Sequence, residues 1–232
     1  LSRAGLISHE TAHMWFGDLV TMNWFDDVWT KEVFAGFMGG KIVNPSFPEI
    51  NHELRFLSNY SSAYGVDRSL GANEIRQPLE NLNMAGTLYG SIIYAKAPIV
   101  MKQLEILVGE KTFQKGMQEY LSTYAYNNAT WPDLIKILDN LSNKDLTAWS
   151  KVWVDEPDRP TIEYDLVIGQ DTLIQKLVLR QSDPKNDNRI WMQHLNVRLG
   201  YQNGETLLPV YLKDKETKIV EAKGMKKPKY IL

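Results

Sequence analysis

The chain has 232 residues and a formal net charge of −2, with 44% hydrophobic and 23% charged residues. This length can bury one substantial hydrophobic core or two modest ones. The near-neutral charge gives no electrostatic reason to expect a nucleic-acid partner, and no apolar run reaches the length of a membrane span. Cysteine is absent, which excludes disulfides and thiolate chemistry but leaves the compartment, cytoplasmic or exported, open.

The first two thirds of the chain show the hydrophobic period of helices. Gly39 and Gly40 indicate the end of the second helix, and Pro98 predicts a kink or break near Ala97. Thr130 has the character of an N-cap residue. The segment 65–83 is expected to be irregular. The predicted helices cover residues 6–16, 28–38, 47–60, 87–108, 111–124, 131–141 and 146–154, and Pro48 lies near the first turn of the third.

Beyond residue 160 the hydrophobic period changes to two, which is typical of strands. Two prolines in the segment 155–160 make it the best candidate for a boundary. We therefore predict a helical domain over residues 1–157 and a small antiparallel β-sandwich over residues 158–232. The predicted strands cover residues 161–168, 173–181, 191–201 and 206–212, with shorter ones at 219–222 and 230–232.

A potential metal site lies near the start of the chain, where His9, Glu10 and His13 form an H-E-x-x-H motif on the first predicted helix. Residues four apart lie one turn apart on the same helix face, so the two imidazoles can converge on one ion. Zinc accepts such ligands, and Glu10 projects beside them, where it can deprotonate a water. The alternative is an ordinary helix that carries two surface histidines.

A catalytic zinc needs a third protein ligand, and Glu32 is the candidate. Eighteen residues separate His13 from Glu32, which lies in the next predicted helix after a turn at 21–26. Its neighbours Trp29, Val33 and Phe34 are apolar, and a carboxylate in such a setting needs a partner. The sequence therefore predicts one Zn²⁺ per chain.

Residues 8–38 resemble the core of the M1 aminopeptidases, a gluzincin family. The family pattern reads H-E-x-x-H-x-W-F-G-N-x-V-T and then W-x-x-D-x-W-x-N-E-G-F-A, and Tyr94-Ala95-Lys96 resembles its Y-x-K-G segment. The resemblance implies a multidomain α+β protein: the α-helical half of a thermolysin-like zinc peptidase domain, followed by a small antiparallel β-sandwich. The matching residues are Trp15, Phe16, Gly17, Val20, Thr21, Trp24, Asp27, Trp29, Glu32, Phe34 and Ala35.

The resemblance also implies roles for individual residues. His9, His13 and Glu32 would be the zinc ligands, Glu10 the general base and proton shuttle, and Tyr94 the hydrogen-bond donor to the oxyanion of the tetrahedral intermediate. A neutral phenol suits that last role, although Tyr94 could instead be a packed aromatic of an apolar helix. Asp27 is either an acceptor for a ligand imidazole N–H or simply a carboxylate at a helix start.

The sequence departs from the family pattern at three places. Lys31-Glu32-Val33 replaces N-E-G, and Ala97-Pro98 follows Lys96 where the family has G-A. The G-x-M-E-N motif, which in the family binds the free amino group of the substrate, does not occur. We expect that motif in an N-terminal part of the protein that precedes Leu1.

These observations together predict a zinc-dependent aminopeptidase acting on peptides. The alternatives are a gluzincin endopeptidase, an epoxide-hydrolysing relative of the family, and a non-catalytic scaffold. The chain by itself is expected to be inactive, to need the missing N-terminal portion as a partner, and to be prone to self-association through exposed apolar surface. Arg68 and Arg76 are expected at solvent-exposed positions, with the alternative that they face the cleft and meet a substrate carboxylate. His52 and His194 are not expected to be ligands.

Overall fold

The computed structural model describes residues 1–185 and 187–232 and divides into two compact units, Leu1–Asp158 and Arg159–Leu232. The first unit contains seven α-helices and two short strands. None of the helices in the described ranges is both long and apolar enough to cross a membrane. The helices are α1 (Ser2–Ala12), α2 (Val28–Val43), α3 (His52–Asp67), α4 (Ala97–Val108), α5 (Glu110–Thr123), α6 (Trp131–Leu141) and α7 (Leu146–Trp153).

Helix α6 begins where the sequence predicts. The Thr130 hydroxyl accepts a hydrogen bond from the Asp133 backbone N–H, and the Asp133 carboxylate accepts one from the Thr130 N–H. This reciprocal capping box satisfies two of the N–H groups left over at a helix start. Trp131, Leu134 and Leu138 then lie buried on one face.

Helix α2 does not end at Gly39 and Gly40, so that prediction was wrong. The helix continues to Val43. A Cβ atom on Gly39 would lie 2.9 Å from Ser8 Oγ and 3.1 Å from the His9 backbone nitrogen. Gly39 is therefore a packing residue that lets α1 and α2 approach closely.

The start of α3 also differs from the prediction. The helix begins at His52, because the Asn51 side chain caps it by accepting a hydrogen bond from the Leu54 N–H at 2.9 Å. Pro48 thus lies before the helix instead of in its first turn. The helix extends to Asp67, beyond the predicted end.

The predicted break near Ala97 is instead a change of helix type. Residues Ile92–Lys96 form a π-helical turn that leads directly into α4. Pro98 lies in the first turn of α4, where its missing N–H costs little. Residues Leu82–Thr87 form a separate 3₁₀ turn, so the long apolar helix begins later than predicted.

Two short strands of the first unit were not predicted. Strand β1 (Val20–Met22) pairs in parallel with β2 (Asn127–Ala129), and Thr21 lies opposite Asn128. Three residues are too few to establish a period of two in the sequence. The pair joins the segment between α1 and α2 to the segment before α6.

The described residues of the second unit form two three-stranded antiparallel sheets with strand orders β3-β4-β7 and β6-β5-β8. Leu177 and Leu179 from the first sheet and Val197, Leu199 and Leu208 from the second belong to one buried cluster. The predicted order, helices followed by a small antiparallel sandwich, is confirmed. The strands are β3 (Thr161–Ile168), β4 (Ile174–Ser182), β5 (Gln193–Tyr201), β6 (Gly204–Leu212), β7 (Glu216–Lys218) and β8 (Tyr230–Ile231).

One short strand of the second unit was placed wrongly. Residues 219–222 contain a 3₁₀ turn, Val220–Ala222, and the strand lies just before it at Glu216–Lys218. Ile219 and Ala222 are buried in the core of the unit. Their apolar character, which produced the strand prediction, reflects that burial.

Candidate metal centre

Two packed helices bring His9, His13 and Glu32 together. His9 lies in α1, His13 is the residue that caps its end, and Glu32 lies one turn into α2. The Nε2 atoms of the two imidazoles are 3.1 Å apart. Glu32 Oε2 lies 3.6 Å from His9 Nε2 and 4.0 Å from His13 Nε2. In the described ranges, these three residues form the one cluster of metal-ligand type.

The donor set fits a zinc ion. Atoms that each lie about 2.0 Å from one tetrahedral centre are about 3.3 Å apart. The three donor–donor distances of 3.1, 3.6 and 4.0 Å bracket that value. Two imidazole nitrogens and one carboxylate oxygen are also the ligand types of catalytic zinc sites, and they leave a fourth position open. The three residues could hold a metal ion.

The orientation of His13 is fixed by the backbone. Its Nδ1 lies 3.0 Å from the Phe16 carbonyl oxygen, which can only accept a hydrogen bond. Nδ1 therefore carries the proton, and Nε2 presents a lone pair towards His9 and Glu32. Gly17 adjoins the same ring: its φ is +132°, and a Cβ there would lie 3.4 Å from His13 Nδ1.

The two residues with predicted catalytic roles lie in different segments of the chain: Glu10 within the H-E-x-x-H motif and Tyr94 in the π turn Ile92–Lys96. Glu10 follows His9 on α1 and its side chain is exposed. Tyr94 lies in the π turn, and its hydroxyl donates a hydrogen bond to Glu32 Oε2 at 3.5 Å. Partial burial and the Glu32 carboxylate raise the pKa of the Tyr94 phenol, so the hydroxyl keeps its proton near neutral pH. Tyr89 stacks on the Tyr94 ring with centroids 6.3 Å apart.

The second oxygen of Glu32 has a different neighbour. Lys31 Nζ lies 3.7 Å from Glu32 Oε1. One carboxylate oxygen thus faces the imidazoles and Tyr94, and the other faces an ammonium. The Lys31 that departs from the family pattern therefore places a positive charge beside the candidate ligand.

The structure does not bring Asp27 to the imidazoles. The carboxylate is buried and accepts hydrogen bonds from Arg76, with Nε 2.7 Å from Oδ1. Burial raises the pKa of the Asp27 carboxyl, and the Arg76 guanidinium opposes that rise. Arg76 also contacts Asp26 at 3.1 Å and is partly buried, so the expectation of a solvent-exposed position was wrong. The His13 imidazole N–H donates instead to the Phe16 carbonyl oxygen. A backbone acceptor cannot be predicted from the sequence, because every residue has a carbonyl group.

A buried ion pair next to the site was missed by sequence reasoning. Lys96 Nζ lies 3.0 Å from Asp67 Oδ1 and 2.8 Å from the Asp158 carbonyl oxygen, and both side chains are buried. The sequence offered one indication of this ion pair, a single lysine inside the apolar run 92–101. Its partners lie too far away in the sequence to be identified from a pattern.

A cleft of about 760 Å³ opens beside His9, Glu32 and Tyr94. Helices α2, α3 and α4 contribute to its walls, and its apolar lining includes Phe37 and Phe56. His52 also lines the cleft, and its Nε2 lies 2.9 Å from the Phe47 carbonyl oxygen. In the second unit, His194 stacks on Tyr211 with ring centroids 4.6 Å apart. Neither histidine joins the metal-ligand cluster.

Comparison with known proteins places this site in a family. The sequence profile of the peptidase family M1 domain matches residues 2–153. The puromycin-sensitive aminopeptidase of Caenorhabditis elegans is 32% identical over 223 residues, which cover 93% of this chain and 23% of the relative. Aminopeptidase N of Streptomyces lividans is 35% identical over 185 residues, covering 78% of this chain and 22% of the relative.

Aminopeptidase N of Lactococcus lactis subsp. lactis is 31% identical over 201 residues, which cover 82% of this chain and 23% of the relative. The chain thus spans under a quarter of the length of these three curated relatives. The profile match includes both candidate metal-ligand helices and Tyr94. The chain belongs to peptidase family M1.

Proposed function

We propose that this chain carries the metal centre of a zinc-dependent aminopeptidase, which removes N-terminal residues from peptides. The observation that carries the proposal is the convergence of His9 Nε2, His13 Nε2 and Glu32 Oε2 from two helices. These residues would hold one Zn²⁺. The names of the relatives, all aminopeptidases, support the same activity.

A bound zinc ion would supply Lewis-acid polarisation of the scissile carbonyl and a lowered pKa for the attacking water. Glu10 is the proposed general base, because it adjoins His9 on α1 and is exposed to solvent. It takes a proton from the water and then delivers that proton to the leaving amine. Glu10 is therefore deprotonated again at the end of the reaction cycle.

Tyr94 is the proposed donor to the carbonyl oxygen as it gains negative charge. Its hydroxyl already lies 3.5 Å from Glu32 Oε2, and 52% of the residue is exposed to a substrate. A tyrosine phenol is ordinarily neutral near pH 7 and is therefore a donor. A donor aimed at developing charge stabilises the transition state more than the ground state.

The cleft beside the metal-ligand cluster is the proposed binding place for the peptide. Phe37, Phe56 and Ile93 give it apolar walls, which suit substrate side chains next to the scissile bond. The proposed substrates are peptides with a free N-terminus, because the matched relatives are named aminopeptidases. Selection of that free amino group is assigned to the G-x-M-E-N type segment expected upstream of residue 1.

Replacement of Glu10 tests this mechanism. In the full-length protein, Glu10→Gln should lower kcat by about 10²–10⁴-fold and leave zinc content at one per chain, because the amide cannot take the proton. Glu119→Gln, an exposed helical glutamate of α5, is the matched control and should leave kcat unchanged. If Glu10→Gln keeps its activity, the general-base assignment is refuted. If the wild-type protein contains no zinc, a non-catalytic scaffold is favoured.

Substrates with blocked N-termini separate the remaining alternatives. An aminopeptidase cleaves a peptide with a free amino group and leaves the N-acetylated peptide intact. Cleavage of both would favour a gluzincin endopeptidase, and hydrolysis of an epoxide in place of either would favour the epoxide-hydrolysing relative. All three activities would use the same metal centre, so the substrate that is hydrolysed distinguishes between them.

The domain and partner assignments complete the proposal. Residues 1–157 are assigned to the catalytic subdomain and residues 158–232 to the β-sandwich. Ile7, Trp15 and Ile42 line an apolar groove of about 1020 Å³ formed by α1, α2 and α5. We assign this groove to contact with the N-terminal portion of the protein or, in the isolated chain, with another copy. The isolated chain is expected to be inactive.

A further inference from the structure

The π turn Ile92–Lys96 carries two functional groups with contrasting environments. Tyr94 is 52% exposed and reaches Glu32, whereas Lys96 is 3% exposed. Residues two positions apart in a helix project from nearly opposite sides. The turn therefore has an open side that faces the metal-ligand cluster and a closed side that faces the interior of the unit.

The closed side is attached to two distant parts of the chain. Lys96 Nζ contacts Asp67 Oδ1, at the end of α3, at 3.0 Å and the carbonyl oxygen of Asp158 at 2.8 Å. Ala95 packs beside Ala63 of α3 in the same small buried cluster. A buried ammonium requires such partners, and the directional contacts specify one rotation of the turn about its axis.

The open side has few constraints of its own. The Tyr94 ring contacts Tyr89, and its hydroxyl reaches Glu32 at the long distance of 3.5 Å. Half of the side chain is surrounded by solvent instead of packed protein. The place of the hydroxyl is therefore set mainly by the backbone of the turn, and π turns at functional sites are held by their surroundings.

We propose that Lys96 is a positioning residue for Tyr94. Its ammonium, held by Asp67 and the Asp158 carbonyl, fixes the rotation of the π turn and so fixes the Tyr94 hydroxyl at the metal-ligand cluster. The inference rests on the catalytic role proposed for Tyr94. It adds a residue that touches neither substrate nor metal ligands.

The proposal predicts a specific kinetic effect. A displacement of a catalytic group by about 1 Å can lower the rate about 100-fold. Because the Tyr94 hydroxyl acts on charge that develops in the transition state, the loss should appear in kcat and leave KM nearly unchanged. The zinc content should also stay at one per chain, because His9, His13 and Glu32 lie on other helices.

The test uses four forms of the zinc-loaded, full-length protein: wild type, Tyr94→Phe, the pair Asp67→Asn/Lys96→Met, and all three substitutions together. Lys96→Met alone leaves a buried carboxylate without its ammonium and could prevent folding. The paired substitution removes both charges and avoids that problem. Steady-state kinetics with alanyl, leucyl and arginyl 4-nitroanilides give kcat and KM, and circular dichroism confirms folding.

The paired substitution should lower kcat about as much as Tyr94→Phe, with KM changed by less than about threefold. The triple variant should be no slower than Tyr94→Phe, because both changes remove the same hydroxyl from its place. Leu138→Ala, a buried change in α6, is the control for lost stability and should leave kcat of the folded protein unchanged.

Three results would overturn the inference, and they have two different meanings. An unchanged kcat in the paired variant, or losses that multiply in the triple variant, would refute the positioning role and leave the proposed function standing. An unchanged kcat in Tyr94→Phe would remove the catalytic role of Tyr94 itself, and the positioning role with it.

Discussion

The geometry of His13 depends on a backbone carbonyl and a glycine. The Phe16 carbonyl oxygen accepts a hydrogen bond from His13 Nδ1–H, with 3.0 Å between nitrogen and oxygen. Gly17 follows with a φ of +132°, which few other residues adopt. The H-E-x-x-H spacing was enough to predict that His9 and His13 would meet, because a helix fixes residues four apart on one face. The carbonyl acceptor was not predictable, since every residue has one.

Gly17→Ala should weaken zinc binding. The new Cβ would lie 3.4 Å from His13 Nδ1 and 3.5 Å from the His13 carbonyl oxygen, and it would also strain a positive φ. Disturbing a group that orients a ligand histidine lowers metal affinity by about 10–100-fold. Competition with a chromophoric zinc chelator measures the Kd.

Gly109→Ala is the matched control for Gly17→Ala. Gly109 also has a positive φ, +85°, but nothing lies within 4 Å of the position of its Cβ. It should show backbone strain of about 1–3 kcal/mol in stability and an unchanged zinc Kd. Equal zinc affinities in the two variants would show that contact with His13 has no effect.

The contact between α1 and α2 determines whether the three candidate ligands can meet. Gly39 lies where a side chain would collide with Ser8 and the His9 backbone. Sequence periodicity located both helices, but it assigned Gly39 and Gly40 to a helix end, because glycine at the end of an apolar run is a common stop signal. Whether a glycine ends a helix or permits close packing depends on a neighbour that the local sequence does not contain.

Gly39→Ala and Gly40→Ala should change stability in opposite directions. A Cβ at Gly39 meets atoms at 2.9–3.2 Å, so the free energy of unfolding should fall by about 1–3 kcal/mol. At Gly40 the nearest atom is Asn44 Nδ2 at 3.6 Å, and alanine in a helix interior should raise stability by about 0.5–1 kcal/mol. Urea unfolding followed by circular dichroism compares them, and equal shifts would contradict the close-packing role.

Other elements illustrate which local signals were sufficient. The capping residues Thr130 and Asp133 placed the start of α6 correctly, and alternation of apolar residues placed β3 at Thr161–Ile168. The parallel pair β1–β2 could not be predicted, because its strands are three residues long and over 100 positions apart in the sequence. The π turn could not be predicted either, because one extra residue in a turn does not alter the apolar composition of the run.

The molecule as a whole combines a profile match over residues 2–153 with a second unit of different architecture. Each unit has its own buried residues: tryptophans such as Trp29 and Trp131 in the first, and aliphatic side chains with Trp191 in the second. The succession of helices and antiparallel strands was predictable because the hydrophobic period changes from helical to two near residue 160. The proposed division into domains rests on the same change.

The second unit should lose stability in acid through Asp183. Hydrogen bonds from Arg189 hold the pKa of the buried Asp183 carboxyl well below its usual range. A depressed carboxyl pKa contributes stability that is complete above a pH of about 4 and is lost as the pH falls towards the folded-state pKa. Asp183→Asn should therefore be less stable than wild type at pH 7, and the difference should shrink at pH 2–3.

The matched control for Asp183→Asn is Asp165→Asn. Asp165 pairs with Arg180, but both side chains are 44% exposed, and exposed pairs contribute little. Urea unfolding at several pH values, followed through the NMR signal of the Trp191 indole, reports on the second unit. If the difference in unfolding free energy between wild type and Asp183→Asn does not change with pH, the stabilising role of the ionised Asp183 carboxylate is contradicted.

The π turn between Ser91 and Ala97 also restricts changes of chain length. A π turn contains one residue more than an α-turn, so loss of any residue in 92–96 would allow the segment to rewind as ordinary α-helix. Because a π turn and an α-turn both complete about one revolution, the flanking residues would keep nearly the same direction relative to α4. The change in side-chain direction would fall on the residues of the turn itself, and Tyr94 is one of them. Natural variation in this segment should consequently proceed by substitution, with insertions and deletions confined to the loops before residue 88 and after residue 124.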